Sequence, residues 1–124
     1  MQERRKFFRL KKRLKVEFKI IIEKFASTVV PPNISYTDTI SGNGLVLLYS
    51  KIIDKGTKLE MSIELQDESK TKIELAGEVI GYNKIDENQY EIKIKFIDID
   101  EKYRDKLVGY LLKESVKNKK KKNE

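Results

Sequence analysis

The chain has no cysteine, no histidine and no tryptophan among its 124 residues, and only two prolines and six glycines. Without cysteine there can be no disulfide, thiol nucleophile or thiolate zinc site. Without histidine there is no imidazole base, no Ser-His-Asp arrangement and no histidine metal ligand. Long apolar runs are also missing: no stretch approaches the roughly 18 residues of a membrane span. The apolar run after the basic start is broken by Glu17, Lys19, Glu23 and Lys24, which makes a poor signal peptide. The 39% of hydrophobic residues is enough for one modest core, and the length suits a single domain. These features together predict a cytoplasmic binding protein without catalysis.

The 27 basic and 20 acidic residues are unevenly placed. Residues 1–15 hold eight Lys or Arg and one Glu, whereas residues 16–112 hold 13 basic and 17 acidic side chains. Residues 113–124 add six lysines and two glutamates. The body is therefore acidic between basic ends. Long DNA needs cations along the folded elements, so DNA is not the expected partner; a compact anion meeting the N-terminal segment fits better.

Period-two alternation recurs through the middle of the chain. Val16, Phe18, Ile20 and Ile22 alternate largely with charged residues, as do Leu59–Leu65, Ile73–Val79 and Tyr90–Phe96, and Leu45–Tyr49 reads as a more apolar strand. Polar loops are expected at Gln66–Thr71 and Asn83–Gln89, with turns at Pro31-Pro32 and Gly56. Five or six short strands with hairpin connections predict a small closed antiparallel barrel. The period then becomes helical. Asp98–Glu101 resembles a capping box, and Tyr103, Leu107, Val108, Leu111 and Leu112 form one stripe on a helix to about Ser115. Capping and strand ends account for Asp98 and Asp100 better than a metal does, and no metal site is predicted. The expected division is an arm over residues 1–13, a barrel with its closing helix over 14–115, and a disordered Lys-rich tail over 116–124.

Two segments carry candidate chemistry. Arg4, Arg5 and Arg9 surround Phe7-Phe8, and an arginine fork can grip phosphate or the O6/N7 edge of guanine. Thr39 and Ser41 share one side of an extended chain that runs into Gly42 and Gly44, where a ligand can approach the backbone. On their own these are a basic arm and a glycine turn.

Their combination resembles the PilZ domain family over almost the whole chain. Arg4, Arg5 and Arg9 match its RRxxxR arm, and Ser41 and Gly44 match its [D/N]xSxxG; Gly77-Glu78-Val79 and the closing helix agree. Thr39 departs from the pattern, standing where the family carries Asp or Asn. The resemblance implies a mainly β, six-stranded antiparallel barrel with one C-terminal helix. It also implies a bacterial receptor for cyclic di-GMP that acts on a protein partner in motility, adhesion or exopolysaccharide output. The implied ligand contacts are Arg4, Arg5, Arg9, Thr39, Ser41 and Gly44, with no other cofactor. The alternative is a degenerate PilZ-like adaptor that binds protein and no nucleotide.

Overall fold

The computed structural model describes residues 7–21 and 32–122, with side chains as far as Lys117. Seven strands, β1 (Leu10–Lys11), β2 (Lys15–Ile20), β3 (Asn33–Ile40), β4 (Gly44–Tyr49), β5 (Lys58–Glu64), β6 (Lys72–Asp86) and β7 (Gln89–Ile99), precede helix α1 (Glu101–Lys122). The sheet runs β3-β2-β5-β6-β7-β4, and the β3–β4 pairing closes it into a six-stranded antiparallel barrel. The two-residue β1 pairs with the end of β3, Leu10 opposite Ile40.

Alternation explains the closure, because one face of each strand is apolar and turns inward. Val16, Phe18, Leu59, Met61, Ile63, Ile73, Val79, Ile92 and Ile94 are buried in one core, and Leu47 joins them from β4. Each such side chain, fully withdrawn from water, stabilises the fold by about 1.5–3 kcal/mol before entropic costs. Leu14, just before β2, is fully buried too.

β3 escapes the sequence pattern. Its apolar Ile34 and Tyr36 face outward, while the polar Thr37 is buried mid-strand and only Ile40, at the end, enters the core as an apolar residue. A buried hydroxyl needs partners. The Thr37 oxygen accepts the Leu14 amide proton at 2.9 Å, and its hydroxyl donates to the Lys12 carbonyl.

Several local expectations need correction. Asn83–Asp86 is strand, so the loop before Gln89 is only Glu87-Asn88. The helix cap is Asp100, not Asp98: its carboxylate accepts the Lys102 amide proton at 2.9 Å, and its carbonyl accepts that of Arg104 at 3.0 Å. The inner stripe of α1 is Leu107, Tyr110 and Leu111, with Leu112 exposed. At Gly109, on the exposed side of α1, an added side chain would meet only open space. The helix also continues through 116 to Lys122, where a disordered tail was expected, because lysine is itself a good helix former.

Candidate functional site

The turn between β3 and β4 is held from within. The buried Ser41 donates its amide proton to the Gly44 carbonyl at 2.9 Å and its hydroxyl to Asn43 Oδ1 at 2.8 Å. Its oxygen also receives the Asn43 amide proton at 3.3 Å, and the Asn43 carbonyl accepts from the Phe96 amide, tying the turn to β7. Ser41 thus orients Asn43 instead of presenting a free hydroxyl. At Gly44 the β7 backbone comes so near that a Cβ would lie 2.7 Å from the Ile94 carbonyl oxygen. The requirement for glycine here is closeness.

Beside this turn is a cavity of about 310 Å³. Arg9, Thr39, Ser41, Asn43 and Gly44 line it from the arm, β3 and the turn, and Lys93, Lys95 and Ile80 from the facing strands. The structure therefore gathers four of the six sequence-predicted residues; Arg4 and Arg5 lie outside the described residues. Three cations border the cavity, and no carboxylate does among the described lining residues. Such a lining favours an anion.

β3 is irregular where Asp38 and Thr39 compete for the site. Thr37 pairs with Leu47 and Thr39 with Val46, so Asp38 is the extra residue of a bulge. The bulge does not deliver Asp38 to the cavity. Its carboxylate faces Lys11 at 3.6 Å, and Thr39 is the residue lining the site.

The end of the arm is packed against the barrel turn and α1. Phe7 is half-buried against Gly42, where an added Cβ would meet the Phe7 ring at 2.8 Å and Val108 at 2.7 Å. The Arg104 guanidinium lies 5.6 Å from the centre of that ring, and its Nε–H donates to the Gly42 carbonyl at 3.0 Å. Further along, Lys12 Nζ pairs with Glu114 at 2.9 Å. Burial works to raise the Glu114 carboxyl, but hydrogen bonds from Lys12 and Lys117 outweigh it and hold the group below its usual range.

A larger groove of about 840 Å³ lies on the outside of β2, β5 and β6. Glu17, Glu60, Glu74, Asp98 and Asp100 border it alongside Lys19 and Lys72, a predominantly acidic lining that would repel a phosphate. Size alone does not make it the site. Sequence reading overlooked Asn43, Lys93 and Lys95. The lysines appeared only as the wet face of β7, and nothing local announced that β7 pairs with β4.

No curated protein matches. Among solved structures, the Bacillus subtilis inhibitor of motility (MotI/DgrA) superposes with a TM-score of 0.76 at 18% identity, over 94% of this chain and 53% of that one. This chain thus spans about half the length of the Bacillus protein. The PilZ domain of YcgR from Escherichia coli, determined with c-di-GMP, gives 0.68 at 14% identity, over 96% and 99% of the two chains. A tetrameric PilZ domain protein from Xanthomonas campestris gives 0.56 at 15% identity, over 74% and 51%. At these identities the likeness is one of fold. The PilZ domain family model itself matches residues 3–113, nearly the full length, and the chain belongs to that family.

Proposed function

We propose that the protein is a cyclic di-GMP receptor that changes its surface on ligand binding and so regulates a protein partner. PilZ domains are binding modules and not enzymes. The observation that carries the reading is the convergence of Arg9, Thr39, Ser41 and Gly44 on one cation-lined cavity. Cyclic di-GMP brings two phosphates and two guanines, and Arg9 with Lys93 and Lys95 supplies the complementary charge. Arg5 and Arg4 complete the basic arm around the ligand. The ligand then draws on the same segment that holds Phe7 over Gly42 and Val108, so occupancy of the cavity alters what is packed on α1. Motility is the output favoured by the likeness to the Bacillus inhibitor, and the YcgR domain was determined with c-di-GMP.

Calorimetric titration with cyclic di-GMP tests this, with single-stranded RNA as a control. Arg5→Ala and Arg9→Ala should each weaken binding by roughly tenfold to a hundredfold, the worth of one bidentate arginine contact of about 1–3 kcal/mol. Unchanged binding in both variants would remove the arm from the site. The second reading, an adaptor that binds protein and no nucleotide, is favoured by Thr39, which offers less than the family's Asp or Asn. A chain that gives no heat with cyclic di-GMP would remove the receptor reading and leave that alternative standing.

A further inference from the structure

The cavity is rich in donors and poor in acceptors. Arg9, Lys93 and Lys95 can only donate hydrogen bonds. Two nearby acceptors each already receive a donor from Ser41: Asn43 Oδ1 its hydroxyl, and the Gly44 carbonyl its amide. With its oxygen so fixed, the exposed Asn43 side chain is left to present its amide NH₂. The one carboxylate close in sequence, Asp38, faces Lys11.

A purine edge must match this inventory. Guanine offers acceptors at O6 and N7 and donors at N1–H and the 2-amino group, whereas adenine replaces the O6 acceptor with a 6-amino donor. A donor-lined wall satisfies O6 and N7. It has no carboxylate to receive N1–H and the 2-amino group together, and Thr39 can accept at most in part. We propose that this site recognises its nucleotide through the 6-oxo/N7 edge, with Asn43, set in place by Ser41, as a specificity-determining donor, and leaves the 2-amino group unread. The inference rests on the receptor reading above and narrows it to 6-oxopurine cyclic dinucleotides, guanine and hypoxanthine alike.

The test is calorimetry of the intact chain with cyclic di-GMP, cyclic di-IMP (which lacks only the 2-amino groups) and cyclic di-AMP. Expected are affinities for the first two within about threefold, and cyclic di-AMP weaker by about tenfold or more, as one mismatched base contact costs. Asn43→Ala should shrink the gap between cyclic di-GMP and cyclic di-AMP. Thr39→Asp should open a gap of about tenfold between cyclic di-GMP and cyclic di-IMP by supplying the missing acceptor. Ratios within one variant are insensitive to a general loss of affinity. A wild-type preference of tenfold or more for cyclic di-GMP over cyclic di-IMP would overturn the inference while leaving the receptor reading intact. So would an Asn43→Ala variant that keeps full discrimination against adenine. Failure of all three ligands to bind would overturn both.

Discussion

A methyl group added at Gly44 would stand 2.7 Å from a backbone oxygen, while one added at Gly109 would touch nothing. The two glycines therefore predict opposite outcomes. Gly44→Ala must push β4 away from β7 and should cost about 1–3 kcal/mol in urea unfolding. Gly109→Ala, on the exposed side of α1, should gain up to about 1 kcal/mol from helix propensity alone. An equal loss at both would show that α1 packs differently. Thr39 and Asp38 make a second contrasting pair. Thr39→Asp places a carboxylate in the cavity and should tighten cyclic di-GMP binding by roughly 1–2 kcal/mol in calorimetry, because a charged acceptor outbids a hydroxyl. Asp38→Ala should change little, since its partner Lys11 is largely exposed and such pairs contribute about 0–1 kcal/mol. If Asp38 were essential and Thr39 indifferent, the bulge would have to turn the other way. Thr39, Ser41 and Gly44 were legible as candidates because their spacing is local. Asn43 was not, because its importance depends on a Ser41 hydroxyl turned inward.

At the scale of elements, α1 is fastened to the strands by contacts distant in sequence. Lys12 meets Glu114, the Tyr110 hydroxyl accepts the Gln66 amide proton at 3.1 Å, and Arg104 meets Gly42. The hairpin before β6 is closed by Asp67, whose carboxylate accepts the backbone amide and hydroxyl protons of Thr71, and these bonds hold it below its usual range. Both Asp67 and Glu114 have folded-state values below the ordinary 3.8 and 4.5. Their contribution to stability is therefore complete above about pH 5 and is lost as the pH falls through the ordinary values and then the lower folded ones. Thermal melts of Glu114→Gln against the wild type should differ most at neutral pH and converge as the pH falls below the ordinary 4.5 and through the lower folded value; a constant difference would mean that Glu114 acts by packing alone. Element identity was legible wherever apolar side chains turn inward, as on β2, β5, β6 and β7. β3 was obscured because it buries Thr37 and exposes Ile34 and Tyr36, an inversion that only the Leu14 and Lys12 backbone makes tolerable.

For the molecule as a whole, closure follows from one pairing, β3 with β4, and the site lies where that seam meets the arm. Five strands and the helix were readable from periodicity, with β1 and β3 missed, whereas the convergence of Lys93 and Lys95 on Thr39 depends on β4 and β7 joining, which no local pattern encodes. The closure is also uneven along its length. Leu75–Glu78 of β6 has β5 on one side and β7 on the other, but from Ile80 to Asp86 the only neighbour among the described residues is β7. In deuterated water these two halves of one strand should separate. Amides of Leu75–Glu78 should exchange slowly, except where the register against β7 shifts between Ala76 and Gly77. Between Ile80 and Asp86 those aimed at β7 should be slow and those aimed outward fast, except where the register shifts near Ile80 and Ile85. Uniformly slow exchange there would mean that another chain has laid a strand along this edge, and the hairpin tip, not the ligand cavity, would then be where the protein meets its neighbours.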